Sequence, residues 1–185
     1  FGLEIFLLVK DPSRVFFTTD HPNGAPFTSY PELFRLLMDY EFRLQKIHSI
    51  NKDSLDFSYL KDLKRIYSMY EIAIMTRASP AEILGLNDRG SLKEGCLADI
   101  SIYDPKKTID KMFREASYVF KDGDEVVRNG KVLKHKKTTT QCIKTTYDKS
   151  VLKEVDKWIK KYYSLELDQF RVDKEFFNVN NFKSH

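Results

Sequence analysis

Apolar residues fall along this chain in two rhythms, and each predicts a different kind of element. Between Pro31 and about Ile50, Leu33, Leu37, Tyr40, Leu44 and Ile47 recur four and three apart, the spacing of one helical stripe. Arg35, Asp39, Arg43 and Lys46 lie largely off that stripe, and Pro31 and Glu32 suit the first turn. Val151, Val155, Trp158, Ile159 and Tyr162 predict a second amphipathic helix over 151–163. Ser68 before Glu71 and Ser79 before Glu82 predict two capping boxes, the first helix running to about Ala78 and the second stopping at Gly85. From Asp88 onward the rhythm is alternation. Ala98–Tyr103, Tyr118–Lys121, Glu125–Arg128 and Lys131–Leu133 predict strands, with Asp122-Gly123 and Asn129-Gly130 as hairpin turns. Residues 51–64 predict a connecting loop with some helix, Thr138–Tyr147 an exposed strand, and Leu165–Val172 an extended segment. Tyr118, Phe120 and Trp158 read as core aromatics.

One run obeys neither rhythm. Val15 to Thr19 is continuously β-branched or aromatic, as in a strand covered on both faces within a parallel sheet. It gives way to Asp20-His21-Pro22-Asn23-Gly24-Ala25-Pro26-Phe27, a loop that its prolines and Asn-Gly hold in one shape. In such sheets the carboxyl ends of the strands open on the ligand crevice, so an acid there is placed for chemistry. From the pattern alone Asp20 is first an ordinary turn aspartate.

Composition narrows the classes. The 185 residues are 42% hydrophobic and 31% charged, enough for a sizeable core. A net charge of +4 with interspersed signs lacks the basic stripe that phosphate-backbone binding needs, so nucleic acid is not an expected partner. Lys134-His135-Lys136-Lys137 reads as a solvated strand end. No run approaches the ~18 apolar residues of a membrane span. Cys96 and Cys142 fit no metal-ligand spacing and read as reduced thiols of a cytoplasmic protein. His48 reads as a surface or packing histidine, and Asp99 as a polar residue satisfying turn groups at a strand start. The chain opens without methionine, inside the apolar segment Phe1–Val9, which suggests the downstream part of a longer protein.

The order of strand and Asp20, then Ser79-Pro80-Ala81-Glu82-Ile83-Leu84-Gly85-Leu86, then Gly90-Ser91-Leu92-Lys93-Glu94-Gly95 through Asp99, resembles the C-terminal third of the amidohydrolase superfamily. Thr18 to Phe27, Tyr70 to Ala78 and Asp122 to Gly130 are similar to the A-subunit family of formylmethanofuran dehydrogenase. The resemblance implies an α/β fold: residues 1–87 as the last strand and flanking helices of a TIM-type barrel, 88–147 as a β-sandwich, and 148–185 as a C-terminal helix and tail. It implies a dinuclear zinc site in the complete protein, with Asp20 as metal ligand and catalytic acid–base, and His21 and Asn23 as substrate contacts. The implied substrates are formate and methanofuran, joined or separated at an N-formyl bond, and the implied partners are the other subunits of the complex. Molybdenum or tungsten pterin and iron–sulfur clusters would sit on those subunits, not on this chain. The remaining zinc ligands would lie upstream, so the isolated chain is expected to be inactive. Two alternatives stay open: a fragment of another metal-dependent amidohydrolase acting on cyclic amides, and a non-catalytic subunit-interaction fragment.

Overall fold

The computed structural model describes residues 2–16, 18–136 and 146–170. The chain divides into two compact units, Phe1–Lys136 and Lys137–His185. In the first, helix α1 (Gly2–Leu8) is followed by α2 (Tyr30–Met38), α3 (Tyr40–His48) and the short α4 (Lys52–Leu55). A helical rod then runs through α5 (Met69–Ala73), a π-helical stretch (Ile74–Ala78) and α6 (Ser79–Ile83). Strands β1 (Ile100–Ile102), β2 (Tyr118–Lys121), β3 (Asp124–Arg128) and β4 (Lys131–Val132) complete the unit, with α7 (Ile109–Phe113) between β1 and β2. Among the described residues of the second unit are α8 (Val151–Tyr162) and a 3₁₀ turn at Leu167–Phe170, where the sequence predicts an extended segment. No helix among the described residues is long and apolar enough to cross a membrane.

The long helix expected over 31–50 is two helices. Asp39 leaves the helical region (φ −124°, ψ 100°), and its carboxylate accepts from the Phe42 N–H at 2.9 Å, capping α3. This break re-phases the second helix. Phe34, Leu37 and Ile47 are buried, and so is Arg43, which the single stripe places outside. The Arg43 guanidinium donates to the carbonyls of Leu36 (2.7 Å), Leu63 (2.9 Å) and Arg65 (2.7 Å), stitching α2 to the segment that leads to Tyr67. Burial pulls its pKa below the usual value, against the opposing pull of Tyr40 and Asp39.

Around this staple the core gathers Leu7, Phe34, Leu37, Ile47, Leu60, Tyr67, Ile72 and Met75. Each such apolar side chain contributes roughly 1.5–3 kcal/mol. Buried Glu4 on α1 accepts from Ser58 Oγ (3.0 Å) and from the Tyr59 N–H, and Tyr67 Oη donates to the Phe6 carbonyl. Helix α2 packs on α7 through the edge-on pair Phe34–Phe113 (4.7 Å) and the ion pair Arg35–Asp110 (3.0 Å).

Ser68 and Glu71 form the expected capping box, with Glu71 N–H to Ser68 Oγ at 3.2 Å and Ser68 N–H to Glu71 Oε2 at 2.8 Å. That backbone donor is the main reason Glu71 titrates below its usual range. The second box does not form. Ser79 is helical (φ −61°, ψ −49°) and its Oγ donates to the Ser13 carbonyl at 2.6 Å, because the helix continues through the π turn and never needs an N-cap there. Gly85 supplies the left-handed stop (φ +69°).

The sheet is antiparallel in the order β1-β2-β3-β4. Asp122-Gly123 and Asn129-Gly130 hold positive φ at both positions (53° and 78°, 48° and 70°), the geometry that suits two-residue hairpins to strand twist. A bulge interrupts the β2–β3 register between Val119 and Phe120. Asp99 fastens the first hairpin: its Oδ1 accepts from the Asp122 N–H at 2.8 Å, and its Oδ2 meets Lys121 Nζ and, at 3.7 Å, Arg89. Burial pushes its pKa up, but those donors more than offset this and hold it below the ordinary value.

Three expectations need correction. Val15 to Thr19 is extended at its described residues but pairs with no strand among them; a strand exists through its ladder partners, and none lies alongside. Tyr118 and Trp158 are exposed (38% and 54%), not core; Trp158 instead faces Tyr162 and Tyr163 at 5.5 and 5.4 Å. A single four-stranded sheet, without a second facing sheet, is present among the described residues. The strand expected over 138–147 falls largely outside the described residues, as does Cys142, while Cys96 is a free thiol. His48 is exposed.

Candidate functional site at the Asp20 loop

The loop starts from buried Thr19 and closes on itself. Ala25 N–H donates to the Thr19 carbonyl and Gly24 N–H to the Asp20 carbonyl, both at 2.8 Å. Asp20 adopts a left-handed backbone (φ 50°), a conformation that aspartate tolerates better than most residues, and its N–H lies 3.3 Å from Thr18 Oγ1. The His21–Pro22 peptide bond is cis. Downstream, Pro26 precedes a 3₁₀ turn at Phe27–Ser29, which runs directly into α2 with Pro31 in its first turn. The loop is therefore anchored to the helix that carries Phe34 and Leu37 into the core.

All three residues singled out from sequence lie on this one exposed turn: Asp20, His21 and Asn23. The Asp20 carboxylate takes part in no hydrogen bond or ion pair among the described residues. The His21 ring stacks on Phe27 with centroids 4.1 Å apart and planes 21° from parallel. Phe27 is not singled out by the sequence pattern; the available signal is a large aromatic placed between Pro26 and Thr28 in an otherwise polar loop. Thr19 Oγ1 is buried without a hydrogen-bond partner among the described residues.

A carboxylate in this state is an available ligand or proton acceptor, but it is one group. No cluster of three or more His, Cys, Asp or Glu among the described residues could hold a metal ion. Catalytic zinc usually takes three protein ligands, so the chain fits a zinc centre only as the donor of one of them.

The antiparallel sheet, the capped rod and the acid-bearing loop define the class. A model of the amidohydrolase family matches residues 3–133, and the chain belongs to that family. Among characterised relatives it is 39% identical, over 179 residues, to the A-subunit of the formyltransferase/hydrolase complex Fhc of Methylorubrum extorquens. It is 38% identical to the protein FwdA of Methanocaldococcus jannaschii. These alignments cover 97% and 96% of this chain but 33% of either relative, so the chain spans about a third of their length. A crystal structure of the Methylorubrum extorquens FhcABCD complex with methylofuran contains a chain that superimposes with a TM-score of 0.82 at 38% identity. That match covers all of this chain and 34% of the other.

Proposed function

We propose that this chain is the C-terminal portion of an amidohydrolase of the Fhc A-subunit type, and that Asp20 is its contribution to the metal site. Its similarity to that relative along nearly its whole length supports this, as does the match to a chain of the complex holding methylofuran. The observation that carries it is the Asp20 carboxylate, exposed and unengaged among the described residues, on a backbone closed by two 2.8 Å hydrogen bonds. On this reading 1–87 belong to a TIM-type barrel, in which the extended run before Asp20 gains its ladder partners. Residues 88–147 then belong to a β-sandwich, with the C-terminal helix and tail following over 148–185.

The reaction is condensation of formate with the primary amine of a methanofuran-type substrate, with loss of water, or its reverse. A zinc pair, when bound, supplies Lewis acidity for activating a carboxylate and stabilising a tetrahedral oxyanion. Asp20 acts as one anionic ligand and as the group that takes up and returns a proton at a carboxylate oxygen. His21 and Asn23 offer hydrogen-bonding edges to the substrate from the same turn. The partners are the other subunits of a cytoplasmic complex. In a dehydrogenase-type assembly those subunits carry the molybdenum or tungsten pterin and iron–sulfur clusters.

The test is Asp20→Ala and Asp20→Asn in the full-length protein assembled with its partners. Formyl transfer should be abolished in both and zinc content lowered in the alanine variant, with the circular-dichroism spectrum unchanged. Turnover surviving in Asp20→Ala would reduce the acid to a loop residue.

A further inference from the structure

We infer that Phe27 is a positioning residue that fixes how His21 presents its ring to substrate. The inference rests on the proposed role of the Asp20 loop and adds a residue to it. The Ala25–Thr19 hydrogen bond draws the two stems of the loop together, so that Phe27 on the descending stem lies under His21 on the ascending one. The platform is the more rigid partner. Phe27 opens a 3₁₀ turn behind Pro26, whose φ of −69° the proline ring enforces, and Ser29 N–H bonds the Pro26 carbonyl at 2.9 Å.

An imidazole on an exposed turn is free to rotate about two side-chain torsions. A near-parallel aromatic at 4.1 Å removes most of that freedom by occupying one face of the ring. Both nitrogens lie in the ring plane, so stacking leaves the hydrogen-bonding edge clear while fixing the direction in which it points. Phe27 is itself 64% exposed and buries too little area to be explained as a core residue. Its ring is placed to serve its neighbour.

The experiment uses the full-length protein assembled with its partners, and a methanofuran-type amine as substrate. Phe27→Ala and Phe27→Leu should raise KM for the amine roughly 3- to 10-fold, the size expected of one aromatic pair, with kcat and zinc content little changed. Phe27→Tyr should restore KM. His21→Ala alone should show the same KM effect, and His21→Ala/Phe27→Ala should be no worse than His21→Ala. Because a large-to-small change could disturb the fold, the His21 ring protons are followed by NMR. They should carry an upfield ring-current shift in the native protein and in Phe27→Tyr, and lose it in Phe27→Leu. The inference is overturned if leucine serves as well as phenylalanine, if the two single effects add, or if His21→Ala changes nothing. It fails separately from the proposed function: active Asp20→Ala sinks the metal role, whereas additive His21 and Phe27 effects sink only this pairing.

Discussion

Thr19 and Gly24 meet so closely that no side chain fits between them: a Cβ on residue 24 would stand 2.5 Å from the Thr19 carbonyl oxygen and 3.2 Å from the Asp20 Cβ. Both neighbours belong to backbone or to the first side-chain atom, so neither can swing aside. Gly24→Ala should therefore push the Asp20 turn open, costing about 1–3 kcal/mol. In the full-length protein it should lower zinc occupancy and turnover together. Zinc analysis and denaturant midpoints on the variant, compared with Asn23→Ala as a neighbour without that contact, check the expectation.

Arg43 should be among the most sensitive positions for stability. Arg43→Met matches much of its length but leaves three carbonyls, those of Leu36, Leu63 and Arg65, without their donor. A loss of about 2–5 kcal/mol is expected, since stranding buried acceptors costs more than the net worth of the bonds. Arg43→Lys should rescue little, because a single ammonium cannot reproduce the planar fork. Urea denaturation of the three proteins measures this.

These two residues show what the sequence disclosed and what it withheld. The hairpins, the Ser68 box and the amphipathic pattern of α8 were readable because each depends on residues within a few positions of one another. Asp20, His21 and Asn23 were found by their loop and by family resemblance, and they do share one turn. Arg43 was misplaced because one Asp39 cap resets the helical phase, a local event with a distant effect on which side is buried. Ser79 misled for the converse reason: its hydroxyl answers the Ser13 carbonyl, a partner 66 positions away that no short-range motif reports. The run before Asp20 reads as a strand, yet strand pairing is a property of neighbours and none is found among the described residues.

The hairpin built on Asp122-Gly123 should respond to acid in a defined window. Hydrogen bonds from Lys134 (2.9 Å) and Lys136 (2.7 Å) hold the Asp124 carboxyl at about 2. Its pKa is depressed in the folded state, so its contribution is fully present above the unfolded value of about 3.9 and is lost as pH falls toward 2. The pairs are exposed, so the effect should be modest and weakened by salt. Urea midpoints of native protein and Asp124→Asn should converge between pH 4 and pH 2, and differ at neutral pH.

Ser79→Ala should destabilise by about 1–2 kcal/mol, because the Ser13 carbonyl then loses its donor in a buried setting. A Ser79→Ala variant as stable as the parent would contradict the buried bond. Ser68→Ala, at a true N-cap, should cost a similar amount for a different reason: the helix end, not a tertiary tie, is what it loosens.

The π turn has a consequence for how this rod can be altered. Ser79 N–H reaches back to the Ile74 carbonyl, five residues earlier, so the stretch holds one more residue per turn than ordinary α-helix would. Removing a single residue between Ile74 and Ala78 would swing everything after it by about 100°, carrying Ser79 and Ala81 out of the interior and bringing neighbours unsuited to it inward. Length, rather than side-chain identity, is what those five positions must preserve.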